Sequence, residues 1–192
     1  MQMEELLAIK PQIESTKSRG DVGTGSREFA WFYTPGRCLK RLKEEREPLH
    51  LEGGRSNCVI PKIPVNTKAI AYVHNHPNGM ASPDYADINM FLYCIENNSR
   101  LDYSLTAATQ RGIVTGYYVM RYSGTRPDAR KEREIIDKDY EEWREKMRKE
   151  RIFISVEEQI DIALKLMEKI HISGKVVPLP GYKVDDWKFL RV

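Results

Sequence analysis

The apolar run AIAYV, residues 69–73, feeds straight into His-Asn-His-Pro, and a loop with Gly79 and Pro83 then delivers the chain to the amphipathic stretch DYADINMFLYCIEN. This order predicts a buried strand, a turn and a helix, with polar residues where the chain leaves one element and enters the next. Strand side chains alternate between faces, so His74 and His76, two apart, point to the same side. Asp84 reads as the opening of the helix and Asp87 as part of its first turn. Two imidazoles and one carboxylate, with a fourth position left for water, make a ligand set that catalytic zinc uses, so His74, His76 and Asp87 are the candidate metal ligands. A plainer account of the same letters is a turn between histidines and an aspartate favoured by the helix dipole. The conjunction of apolar strand, HxHP, loop and amphipathic helix weighs against it, where a lone HxH does not.

The pattern HxHP, followed after ten intervening residues by Asp87, resembles the JAMM (JAB/MPN) zinc metalloprotease family. The wording HNHP-x-G and the ending Pro-x-x-x-Asp-Ile are most similar to its bacterial and phage branches, RadC-like proteins included. The resemblance implies an α/β (α+β) fold in which a curved mixed β-sheet is packed with helices, in the manner of cytidine deaminases. It implies zinc on His74, His76 and Asp87, and hydrolysis of a peptide or isopeptide bond by a metal-activated water. It further implies a glutamate at the start of an early strand, which holds that water and shuttles its proton. Glu28, immediately before FAWFY and 46 residues ahead of His74, takes this place; Glu52 in LEGGR is the second candidate. Family members usually carry a serine three residues before the metal-binding aspartate, where its hydroxyl helps to stabilise the oxyanion. Here that place holds Asp84, and Ser82 lies two residues earlier. A carboxylate beside the metal tightens cation binding and repels a developing oxyanion. As a helix N-cap, by contrast, Asp and Ser are nearly interchangeable. Two functions follow: a zinc metalloprotease whose catalytic candidates are Glu28, Asp84 and Ser82, or a catalytically weak or inactive binding module of the same fold in a phage or toxin setting.

Composition narrows the classes. A chain of 192 residues suffices for one domain with a sizeable core and an appendage. No apolar run reaches membrane-span length, and MQMEELLAIKPQ lacks the pattern of a signal peptide, so the expected location is cytoplasmic. Cys38, Cys58 and Cys94 form no CxxC or CxH pair, which speaks against a disulfide framework; Cys94, within MFLYCI, reads as a buried small hydrophobe. The net charge of +3 arises from 31 basic and 28 acidic side chains that are largely interleaved, so no nucleic-acid partner is expected. The nearest candidate for a one-sided basic surface, RCLKRLKEER at 37–46, reads better as a solvated or partner-facing helix turn.

Along the chain, residues 1–26 combine a short helical pattern, ending at Pro11 or running on to Ser18, with the Gly-rich connector SRGDVGTGS. Residues 27–125 hold the metalloprotease-like domain, in which FAWFY, CVIPKI, AIAYV, DYSLTAATQ and IVTGYYVMRYS read as strands. Arg111 and Gly112 are the turn between the last two. Residues 126–192 form a C-terminal helical extension: a charged helix with Ile135, Ile136, Tyr140, Trp143 and Met147 roughly on one side, then a helix from Ser155 to Ile170, with Gly174 as its stop. These stripes predict mutual packing or cover for the sheet, and secondarily a surface for a protein partner or self-association. His50 and His171 receive no chemical role, and Tyr85 suits either the core or a substrate cleft.

Overall fold

The computed structural model describes residues 1–15, 30–36, 40–41, 44–45, 60–61, 68–76, 81–98, 100–110 and 112–183. It opens with helix α1 (Met3–Ser15), followed by strands β1 (Ala30–Tyr33), β2 (Lys40–Arg41), β3 (Glu44–Glu45), β4 (Ile60–Pro61) and β5 (Ala71–Asn75). Helix α2 (Tyr85–Asn97), strands β6 (Tyr103–Gln110) and β7 (Ile113–Tyr122), helices α3 (Arg126–Lys149) and α4 (Val156–Met167), and strand β8 (Ile172–Pro178) complete it. Six strands join in the order β2-β1-β5-β6-β7-β8, while β3 and β4 pair separately. The sheet is mixed, with β5 and β6 parallel and the other neighbouring pairs antiparallel. A parallel pair needs a crossover, and α2 supplies it.

Both faces of the sheet are covered, and strand alternation decides what meets what. Trp31, Tyr33, Ala71, Val73, Leu105 and Tyr117 share one core cluster with Leu6, Ile9 and Ile13 of α1. Their neighbours Phe32 and Tyr72 point the other way, into a cluster with Ile88, Phe91 and Leu92 of α2, Ile136 of α3 and Leu166 of α4. Each of these large side chains, once fully buried, contributes roughly 1.5–3 kcal/mol of transfer free energy. Pro11 does not stop α1, which runs on to Ser15. The N–H that proline lacks leaves the carbonyl of Leu7 without its helical donor, and Leu7 is exposed, so water can serve that carbonyl.

Three expectations change. Lys40–Arg41 is an extended edge strand on β1, not a helix turn. Helix α4 ends at Met167, three residues short of Ile170. Gly174 lies inside β8 and stops no helix. It is a glycine because the Tyr118 ring crosses it, so an added Cβ would lie 2.6 Å from Tyr118 Cζ. Residues beyond 126 thus add two helices and an edge strand to the same sheet and core, rather than helices alone. The capping boxes at Thr125 with Asp128 and at Ser155 with Glu158 fix the starts of α3 and α4. Gly112 takes the positive φ (85°) of the β6–β7 turn. Cys94 is buried with a free thiol. Cys38, His50, Cys58, Arg111, the Gly-rich connector and the end of the chain from residue 184 lie outside the described residues. Among the described residues no helix is long and apolar enough to cross a membrane.

Candidate metal centre

Strand β5 ends at Asn75, α2 begins at Tyr85, and the site lies between them, at the carboxyl end of a strand in a parallel pair, where open α/β sheets generally place ligands. His74 projects from the same face as Tyr72 and stacks on its ring, with centroids 5.2 Å apart. His76 follows on that face. The two Nε2 atoms come within 3.3 Å of each other. Asp87 Oδ1 lies 2.9 Å from His74 Nε2 and 3.4 Å from His76 Nε2, while Oδ2 lies 3.2 Å from His76 Nε2.

These spacings suit a metal. Tetrahedral coordination with zinc–ligand bonds of about 2.0–2.1 Å puts ligand atoms about 3.3–3.4 Å apart, close to the triangle formed here. Hydrogen bonding alone accounts for it poorly. His74 Nε2 lies within hydrogen-bond distance of His76 Nε2 and of Thr106 Oγ1, both at 3.3 Å, and even closer to Asp87. One ring nitrogen offers a single proton or a single lone pair, so it cannot serve three such neighbours at once. The charges also agree. Burial pushes the Asp87 carboxyl up, but the imidazoles of His76 and His74 and their hydrogen bonds outweigh it and hold the group well below the usual carboxylate range. Asp87 is thus favoured as the carboxylate, the form in which it can bind a cation. His74 Nδ1 is buried with no hydrogen-bond partner among the described residues, and the ring is held by stacking on Tyr72.

Asp84 is the N-cap of α2. Its Oδ1 accepts the Asp87 N–H at 3.0 Å, and its own N–H donates to Asp87 Oδ2 at 2.9 Å. This reciprocal pair fixes the first turn of α2 and with it the direction of the Asp87 carboxylate. Burial, then the charge of Asp87, push the Asp84 carboxyl above its usual range. Ser82 is buried in the segment leading into α2. Glu28 and Glu52 lie outside the described residues, although Ala30, two residues after Glu28, pairs directly with His74. Tyr85 belongs to the α2–α3 contact: its ring lies 3.8 Å from that of Tyr140 at 2°, and its hydroxyl donates to Asp137.

The structure adds one residue to the site that the motif does not contain. Thr106 on β6 is the register partner of His74 and is fully buried beside its Nε2. The sequence holds only a faint sign of it, the hydroxyl residues Ser104 and Thr106 at period two among Tyr103, Leu105 and Ala107. No family model matches the chain, and neither the curated proteins nor the solved structures give a match.

Proposed function

We propose that this protein is a zinc-dependent hydrolase of peptide or isopeptide bonds, related in fold and mechanism to the JAMM metalloproteases that its HxHP…Asp motif resembles. The observation that carries the reading is the convergence of His74 Nε2, His76 Nε2 and an Asp87 oxygen, all within 4.8 Å of one another, a group able to hold a metal ion. Zinc bound there supplies a Lewis acid and brings the pKa of a bound water toward neutrality. Asp87 would offset part of the cation's charge. Glu28 takes the proton from the attacking water and returns it to the leaving amine. Its assignment rests on the family pattern and on chain connectivity, because Ala30, which pairs with His74, is only two residues away. The proposed substrate is a protein or peptide, met in the cytoplasm, with no nucleic acid involved.

Turnover on peptide and isopeptide substrates tests the mechanism. Glu28→Gln should keep the metal and the fold yet lose about two to four orders of magnitude in rate, the usual scale for a general acid or base. If Glu52→Gln has this effect instead, the two glutamates exchange roles; if neither changes the rate of an active preparation, the mechanism fails.

One observation favours a second reading, a metal-bearing scaffold with weak or no hydrolysis. Asp84, standing where the family has its serine, commits its carboxylate to the helix cap and adds an acidic group beside Asp87. A full complement of zinc without turnover on any substrate identifies that case.

A further inference from the structure

We infer that the Thr106 hydroxyl supplies the hydrogen bond that the family's serine gives elsewhere, donating to the oxygen that occupies the open position of the metal site. The inference rests on the proposed zinc site and extends it to a residue outside the motif. Thr106 sits on β6 directly across from His74 in parallel register, so its side chain leaves the sheet on the histidine's face. It is fully buried, and its Oγ1 lies 3.3 Å from His74 Nε2. Valine has nearly the same shape and suits a buried strand better, so a hydroxyl here needs a polar partner to offset its desolvation. Among the described residues the polar neighbour that the hydroxyl has is His74 Nε2. A metal on Nε2 would take that partner away and leave the hydroxyl proton for an oxygen bound beside Nε2. Asp84 cannot supply such a proton while ionised, and its Oδ1 already accepts the Asp87 N–H at 3.0 Å. The donor thus comes from the strand beside β5 instead of the turn before α2.

The test compares full-length wild type with Thr106→Val, Thr106→Ser and Thr106→Ala after cobalt(II) loading, following the visible absorption spectrum with pH alongside zinc affinity by chelator competition. A hydrogen bond donated to an anionic oxygen favours ionisation of the water in the open position. Its loss in Thr106→Val should therefore raise the pH midpoint of the spectral change by about one unit, with metal stoichiometry unchanged. Thr106→Ser should restore the wild-type midpoint. If the valine variant does not fold, the same contrast is read between the serine and alanine variants. An unchanged midpoint in a folded, fully loaded valine or alanine variant overturns the inference and leaves the zinc site standing. A wild-type chain that takes up no cobalt or zinc overturns both.

Discussion

Asp84 meets two demands with one carboxylate, and the geometry ranks them. Its Oδ1 closes a capping box with Asp87, and the Asp87 carboxylate meets the two histidines, so the cap sets the aim of the acidic ligand. Serine caps a helix nearly as well as aspartate and alanine does not. Asp84→Ser should therefore change unfolding free energy by less than about 0.5 kcal/mol, whereas Asp84→Ala should cost about 0.5–2 kcal/mol and weaken metal binding along with it. Chemical denaturation and chelator competition on the same variants measure both effects. If Asp84 also faces the reacting carbonyl, Asp84→Ser should raise turnover, because an anion that repels the developing oxyanion is gone. A fall in turnover in a folded serine variant would contradict both roles and place Asp84 in the chemistry itself.

Between elements, a second charged contact joins the start of β8 to the buried face of α3. His171 Nδ1 meets the buried Glu132 carboxylate, and this hydrogen bond, with the attraction between the charges, raises the histidine's pKa above its ordinary value. A histidine whose pKa is higher folded than unfolded stabilises the fold fully below its unfolded value near 6.5, and that contribution disappears as pH rises through the folded pKa. His171→Gln should remove this component, flattening the decline of thermal stability above about pH 6.5. An unaltered pH profile in the variant contradicts the contact. The same β8 shows where the sequence is hard to read. Its Ser173, Gly174 and Lys175 are exposed on a sheet edge, so no apolar alternation announces a strand, and Gly174 imitates a helix stop while serving to admit the Tyr118 ring. The segment from Val73 to Asp87 is easier because its strand, turn and helix cap are local: HxH places both rings on one face, and Asp84 and Asp87 lie three residues apart. Thr106 comes thirty-two residues after His74 and reaches it only through parallel pairing, which no local pattern encodes. The side of the sheet that α1 covers is hidden in the same way.

Across the whole molecule, the site ties the central strand pair to the helical layer, since His74 belongs to β5, His76 follows it, and Asp87 belongs to the crossover helix α2. A ligand held across two layers exists only when both are in place, so metal binding draws on and adds to the folded state, by about 4 kcal/mol when free metal stands a thousandfold above its Kd. Removing metal with a chelator should accordingly lower Tm, and restoring zinc should recover it. The central claim is most directly tested by elemental analysis of the native protein, purified without chelator, beside the His74→Ala, His76→Ala double variant. About one zinc per native chain, and almost none in a folded double variant, is the predicted result. Equal metal in the two proteins, or none in either, would contradict the site and the function built on it.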